Sequence, residues 1–131
     1  MNTNVHEWNT RLLLKEEVFQ IVGAAIEVHN QVGHGFHEKP YENALLVELG
    51  LRKIPTEQQR AFPMDYKGQF VGKFVPDLIA FNSVVVDAKV IEQITDNERG
   101  QMLNYLRISK MRVGVILNFG KPRLEWERIV L

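Results

Sequence analysis

The fold of this chain is decided by residues 75–90, which read VPDLIAFNSVVVDAKV. Two apolar segments flank the turn residues 81–83, and this pattern predicts two adjacent antiparallel strands. The second segment, Val84–Val90, begins with β-branched residues on both faces, which is typical of a central strand covered on both sides. Asp87 and Lys89 interrupt it at alternate positions, so their side chains should emerge from one face.

The length of the turn decides whether a third polar residue joins that face. With a two-residue loop, Asn82-Ser83, the side chains of Asp77 and Asp87 would point to opposite sides of the sheet, because a shift of one residue reverses every side chain. A three-residue loop that begins at Phe81 places Asp77 opposite Asp87. We predict that longer loop, or a bulge with the same effect.

Two carboxylates from neighbouring strands make a hard oxygen site, which suits Mg²⁺ or Mn²⁺. The backbone carbonyl of Ala88 would add a further ligand, and Lys89 would hold or deprotonate an attacking water. An Asp-x-Lys pair in a strand is more often a structural ion pair. Unpaired charges are costly in a strand that is covered on both sides, and this cost favours the functional interpretation.

The remaining elements follow from periodicity, caps and turn residues. Apolar residues at three- and four-residue steps predict helices, the Thr95–Glu98 segment matches a capping box, and Gly50 is expected to end the second helix. In chain order we predict helices at 15–33 and 37–49, strands at 57–66, 69–81 and 84–90, a helix at 96–109, and strands at 113–117 and 124–130. The order α-α-β-β-β-α-β-β predicts one α/β domain over residues 15–131, with a mixed sheet between helices. Residues 1–14 are expected to form a loosely attached arm.

Two further polar pairs lie on predicted helix faces. Gln101 and Tyr105 are four residues apart on the third helix, and Glu38 and Glu42 are four apart at the start of the second. Each pair also has a structural explanation: the glutamates favour the positive end of their helix, and Gln101 and Tyr105 would form an ordinary polar contact and a core aromatic.

Composition bounds the function less tightly than the motifs do. The 131 residues include 16 basic and 16 acidic side chains, so the net charge is zero, which argues mildly against tight, sequence-independent binding of nucleic acid. The chain has no cysteine, which excludes disulfides and thiolate chemistry. It shows no apolar run of membrane-spanning length and no signal-peptide pattern, so a cytoplasmic protein is expected.

Taken together, these clusters resemble the PD-(D/E)XK phosphodiesterase superfamily. Pro76-Asp77 resembles its PD, Asp87-Ala88-Lys89 its (D/E)-x-K, and Gln101 to Tyr105 its helical Q-x-x-x-Y. In closer detail the chain resembles the small GxxExxY protein family, whose motif is matched by residues 35–41, GFHEKPY. Further matches to that family are Tyr41-Glu42-Asn43-Ala44-Leu45, Tyr66-Lys67-Gly68 and Asn118-Phe119-Gly120.

The resemblance implies a restriction-endonuclease-like core and a magnesium or manganese site. It assigns Asp77 and Asp87 as metal ligands and Lys89 as the catalytic lysine. The remaining roles it implies are Glu38 as an acidic contributor, Gln101 as an orienting side chain, Tyr41 as a packing residue beside the site, and Glu42 and Tyr105 as nearby support. Asp87 stands where glutamate is usual in the closer family, and the shorter side chain would move or weaken the metal.

The leading hypothesis is therefore metal-dependent hydrolysis of a DNA or RNA phosphodiester, acting as a monomer or as a homodimer. A nuclease fold that binds nucleic acid or protein without turnover is the alternative, and a subunit that needs a partner to complete its substrate groove is a third. The sequence leaves open DNA against RNA, single against double strand, and endo against exo action.

Overall fold

A computed structural model describes residues 12–131, and a five-stranded mixed sheet forms its centre. The helices are α1 (Lys15–Val32), α2 (Glu38–Leu51) and α3 (Asp96–Ser109). The strands are β1 (Thr56–Gln58), β2 (Phe62–Tyr66), β3 (Gln69–Phe74), β4 (Leu78–Ala80), β5 (Val84–Lys89), β6 (Val113–Asn118) and β7 (Glu125–Val130). Among these residues, no helix is long and apolar enough to cross a lipid bilayer.

The sheet has the strand order β1-β4-β5-β6-β7, and the β5–β6 pair is parallel while the others are antiparallel. The predicted mixed α/β architecture and order of elements are confirmed, and β5 is the central strand. Two predicted strands were too long, because each divides into two shorter ones. The segment 57–66 breaks where Gln59 adopts a φ of 67°, and the segment 69–81 breaks at Pro76, which cannot donate a ladder hydrogen bond. As a result β2 and β3 form a separate two-stranded hairpin.

The two faces of the sheet carry different helices. On one face α1 and α2 pack over Val84, Val86 and Ala88 of β5, and on the other α3 packs over Val85. Because side chains alternate along a strand, Asp87 and Lys89 share the α3 face with Val85. This alternation points the polar end of β5 towards α3.

The turn between β4 and β5 has the predicted length. Ala80 pairs with Val84 and Leu78 with Val86, so residues 81–83 form a three-residue loop, and continuing the register places Asp77 opposite Asp87. The loop is closed by the Ser83 N–H, which donates to the Ala80 carbonyl at 3.1 Å. The register prediction is confirmed.

The helix ends follow local chemistry, with one correction. At the start of α3 the predicted capping box is present, with the Thr95 N–H donating to Glu98 Oε1 at 2.7 Å. The prediction that Gly50 ends α2 was wrong: the helix continues through Gly50, and Lys53 adopts the left-handed conformation, φ 60°. The Ile54 N–H bonds to the Leu49 carbonyl at 2.9 Å, which is the long bond of a Schellman motif. Ile54 and Leu49 are both buried, and this burial favours ending the helix at Leu51 and not at Gly50.

The predicted arm lies mostly outside the described residues, which begin at residue 12. Leu13 and Leu14 are partly buried against the α1–α2 face of the core, and the Leu13 carbonyl accepts a hydrogen bond from Arg128 of β7.

Candidate active site

Asp77 and Asp87 come together where β4 and β5 separate. The Asp77 Oδ2 accepts a hydrogen bond from the Ala88 N–H at 2.8 Å, and the two carboxyl groups lie within hydrogen-bonding reach of each other. In the parallel ladder, the carbonyl of Lys89 accepts from the Phe119 N–H beyond β6. The preceding residue, Ala88, therefore turns its backbone groups to the opposite edge, where Asp77 lies.

Lys89 is held between a carboxylate and an amide. Its Nζ lies 3.3 Å from Asp87 Oδ2 and donates to Gln101 Oε1 at 2.8 Å. Asp87 is only 8% exposed, and its Oδ2 accepts no hydrogen bond from any described residue. Lys89 contacts this oxygen as an ion-pair partner, and a carboxylate oxygen has more than one acceptor site, so the atom can also face a metal ion.

Burial sets the charge state of the aspartate pair. Burial is the largest effect: opposed in part by the Ala88 N–H and reinforced by the neighbouring Asp87, it raises the pKa of Asp77 to about 7. Burial also raises the pKa of Asp87, although Lys89 partly opposes that change. The two acids lie close enough for their titrations to be coupled, so the charge of one raises the pKa of the other.

The same neighbours keep Lys89 charged. Burial by itself would lower the pKa of the ammonium group, but the adjacent Asp87 carboxylate outweighs that effect and the pKa is raised. At neutral pH Lys89 is thus a cation and a hydrogen-bond donor. A charged Lys89 can hold a water by donating a hydrogen bond to it, and its role in deprotonating that water stays a prediction.

The two glutamates of α2 differ in their surroundings. Glu38 is exposed at the first helical residue, and its charge acts on both Asp87 and Lys89. Glu42 is buried, and its Oε2 accepts hydrogen bonds from Lys39 at 2.9 Å and from Gln58 of β1 at 2.6 Å. Glu38 is therefore free to face a ligand, whereas Glu42 joins α2 to the edge of the sheet.

The two tyrosines act as packing residues. Tyr41 is fully buried, stacks on Phe119 with ring centroids 4.6 Å apart, and donates its hydroxyl to the Gly33 carbonyl at 2.6 Å. Tyr105 stacks on Phe74 at 4.0 Å, and the two rings close one side of a cavity of about 50 Å³ that the aspartates also line. Tyr105 thus joins the β2–β3 hairpin to the carboxylate pair.

Two polar supports of the site escaped the sequence analysis. Asn118, fully buried at the end of β6, donates to the Ile91 carbonyl at 3.0 Å, and its Oδ1 accepts from the Ile91 N–H at 3.1 Å. Glu125 accepts from the Ile94 N–H at 3.0 Å. Together they fix the segment that leads from Lys89 to α3. The sequence did offer a signal for Asn118, which is a polar residue at the end of the apolar strand β6. It offered none for Gln58, whose side chain donates to Glu42.

The donor set fits a divalent cation that retains much of its water. Within residues 12–131, no three aspartate, glutamate or histidine side chains gather into a ready cluster for a metal. Magnesium, however, is commonly held by one or two carboxylates and keeps several waters. Asp77 and Asp87 supply two such carboxylates, and the Ala88 carbonyl is a further oxygen donor beside them.

A family model described as the PD-(D/E)XK nuclease superfamily matches residues 15–129. The match spans every helix and strand described above except the last residue of β7, and it does not distinguish the GxxExxY family within the superfamily. Neither the curated proteins nor the solved structures include a significant match to the chain.

Proposed function

The chain belongs to the PD-(D/E)XK nuclease superfamily, and we propose that it is a divalent-metal-dependent nuclease that hydrolyses phosphodiester bonds in DNA or RNA. The observation that carries the proposal is the pair Asp77 and Asp87 beside Lys89, with one buried carboxylate oxygen that has no hydrogen-bond partner among the described residues. Enzymes of this superfamily are generally phosphodiesterases and typically use divalent metals.

Asp77 and Asp87 are the residues that would hold the metal, with the Ala88 carbonyl as a further oxygen donor. A bound Mg²⁺ or Mn²⁺ would polarise the phosphodiester and lower the pKa of a bound water. Before a metal binds, the carboxyl pair retains a proton near neutral pH. Both carboxylates must ionise to serve as ligands, so binding should release a proton.

Lys89 and Gln101 have complementary roles in the proposal. The Lys89 ammonium stabilises negative charge that develops on the phosphate. Electrostatic stabilisation by a preorganised cation is strong in a partly buried site, because less water screens it. Gln101 accepts one Nζ proton at 2.8 Å and so fixes the direction of the remaining two. Gln101 is therefore a positioning residue, and Lys89 is the catalytic one.

Glu38 is proposed as the acid on the open side of the site. It is exposed, and its charge acts on Asp87 and Lys89 across the gap between α2 and β5. At that position it can orient an attacking water or bind the metal through one. Glutamate is usual at the position of Asp87 in the GxxExxY family. The shorter aspartate side chain would leave room for such a bridging water.

The test is cleavage of end-labelled single- and double-stranded DNA and RNA by the purified protein with Mg²⁺, Mn²⁺ or EDTA. Lys89→Met and Asp77→Asn should each abolish cleavage, because each removes a group from the proposed centre. Asp65→Asn, an exposed aspartate on the hairpin, is the matched control and should cleave like the wild type. Cleavage that survives both site substitutions would indicate a contaminant and reject the proposal.

The alternative is a nuclease fold that binds nucleic acid without turnover. The zero net charge of the chain is the observation in its favour, because it gives little general attraction for phosphates. Binding of the labelled strands without cleavage in any metal would support this alternative over the nuclease.

A further inference from the structure

A groove of about 790 Å³ runs between α3 and the β2–β3 hairpin. Met64 and Phe74 line it from the hairpin, and Gly100 and Leu103 line it from the helix. This volume lies within the range of ligand-binding clefts.

The groove adjoins the proposed catalytic centre. Gln101 and Tyr105 line it, and the same Gln101 accepts the hydrogen bond from Lys89 Nζ. Phe74 and Tyr105 line both the groove and the small cavity over Asp77 and Asp87. A chain that lies in the groove therefore contacts Gln101 and the Phe74–Tyr105 ring pair, whose other side faces the carboxylates.

The walls of the groove carry two basic side chains that form no ion pair with the described carboxylates. Lys73 on the hairpin and Arg107 on α3 line it, and neither forms an ion pair with a carboxylate in residues 12–131. Arg107 instead donates to the Asn104 side chain at 2.8 Å, which orders its guanidinium group. The acid at one end, Asp96, is neutralised by Arg99 at 2.8 Å. The groove thus offers positive charge on two opposing walls.

Gly100 leaves the helical wall of the groove open to a close approach. It lies in the interior of α3, where glycine costs about 1 kcal/mol relative to alanine. Its φ is not positive, and a Cβ built on it would meet no atom within 4 Å, so neither backbone conformation nor internal packing requires glycine there. Gly50 shares these properties, so what distinguishes Gly100 is its place in the lining of the groove, where the missing side chain lets a ligand backbone come close.

The lining also distinguishes between kinds of nucleic acid. Met64, Leu103 and Ile108 give the groove an apolar surface, and the rings of Phe74 and Tyr105 stand at its end beside the catalytic centre. A duplex presents mainly phosphates and sugars to a protein surface, whereas a single strand also presents unpaired bases that stack on apolar and aromatic side chains. Apolar walls between two cations therefore match a single strand.

We infer that this groove binds a single-stranded nucleic acid, with phosphates at Lys73 and Arg107 and the backbone of the strand against Gly100. The inference rests on the proposed nuclease function, because the groove would hold the strand that the catalytic centre cuts. The chemistry on these walls is shared by DNA and RNA.

The experiment measures binding of fluorescein-labelled 12-nucleotide single-stranded DNA, single-stranded RNA and a blunt DNA duplex by anisotropy. Asp77→Asn serves as the parent, so that no cleavage disturbs the measurement. Adding Gly100→Gln should weaken single-strand binding by about tenfold or more, because the new side chain fills the groove. Gly50→Gln is the matched control, since Gly50 is also exposed within a helix with no atom near its Cβ position, and it should bind like the parent.

Charge reversal tests the phosphate contacts. Lys73→Glu and Arg107→Glu should each weaken binding by about tenfold and reduce the slope of log affinity against log salt by about one. Thermal unfolding provides the structural check: Gly100→Ala should raise the melting temperature while Gly100→Gln still blocks binding. The duplex should bind at least tenfold more weakly than either single strand, and the tighter of the two single strands identifies the preferred sugar.

The outcomes separate this inference from the proposed function. If the wild type cleaves but the groove variants bind single strands as well as their Asp77→Asn parent, the groove inference is wrong and the nuclease proposal stands. If no metal supports cleavage but the groove variants lose binding, the groove stands and the nuclease fails. Preference for the duplex, or failure of the parent to bind any of the three probes, would overturn the single-strand inference.

Discussion

The two ends of the β4–β5 strand pair have opposite characters. At the turn end, Leu78–Ala80 and Val84–Val86 are apolar and at most 1% exposed. At the open end, the same two strands bring Asp77, Asp87 and Lys89 together. The turn end is held by packing, and the open end places two acids, both with raised pKa values, in a partly dry site.

This difference shows how one strand pair can fix the fold and support the chemistry. The apolar end sets the register, and the register then imposes the contact between the two acids. Repulsion between acids lowers the stability of the metal-free protein, which proteins tolerate where function needs it. Substitutions at the two ends should therefore change the free energy of unfolding in opposite directions.

The largest effect is expected at the turn end. Val86→Ala should lower the free energy of unfolding by about 2 to 3 kcal/mol, since Val86 is completely buried between β5 and the α1–α2 layer. Urea unfolding followed by circular dichroism measures it. An unchanged midpoint of urea unfolding would mean that packing at the turn end does not stabilise the β4–β5 strand pair.

At the open end the sign should reverse. In EDTA at pH 8, Asp77→Asn should raise the free energy of unfolding by about 1 to 2 kcal/mol, because it removes a partly buried charge that water still screens in part. Asp65→Asn, on the exposed hairpin, should change it by less than 0.5 kcal/mol. A loss of stability in Asp77→Asn would show that its bond from the Ala88 N–H outweighs the repulsion.

The pH dependence has a defined direction. The folded protein keeps the Asp77 proton up to about pH 7, whereas the unfolded chain releases it near its ordinary value of 3.8. The stabilisation from this group is complete below pH 4 and is lost as the pH rises to 7, because the folded state binds more protons in that window. The difference in stability between the wild type and Asp77→Asn should therefore grow between pH 4 and 7 and then level off. A difference independent of pH would contradict the raised pKa.

Divalent metal should reverse the penalty at the open end. At ten times its dissociation constant, Mg²⁺ or Mn²⁺ should raise the free energy of unfolding of the wild type by about 1.4 kcal/mol. The same addition should have little effect on Asp77→Asn, which lacks one ligand. Thermal unfolding at a series of metal concentrations measures both, and equal shifts in the two proteins would place the metal elsewhere.

Features of this molecule that depend on neighbouring residues could be predicted from the sequence. The capping box at Thr95 and the alternation that puts Asp87 and Lys89 on one face follow from short patterns, and the three-residue loop at 81–83 was predicted because that length brings Asp77 opposite Asp87. These features were sufficient to bring the core of the site together. The resemblance of the motifs then pointed to a superfamily that the match over residues 15–129 confirms.

Features that depend on distant parts of the chain could not be predicted. Gln58 bonds to Glu42 across 16 residues, and Asn118 bonds to Ile91 across 27, so no local pattern identifies either partner, although Asn118 stands out as a polar residue at the end of an apolar strand. The separation of β2 and β3 from the main sheet is another such case, since it depends on where the chain turns out of the sheet near Gln59 and Pro76. The groove along α3 exists because of that separation.

The smallest effect concerns α3, which carries Gln101 to the open end. Thr95→Ala should cost about 1 kcal/mol of unfolding free energy, because it removes the side chain that accepts from the Asn97 N–H. Since Gln101 lies more than a turn beyond the cap and Lys89 also holds it, cleavage at 25 °C should stay within about twofold of wild type. Measured together, unfolding and cleavage separate two roles of the helix. If cleavage falls by tenfold while the protein remains folded, the start of α3 positions Gln101 as well as stabilising the fold. The open end would then depend on the helix as much as on the strand pair.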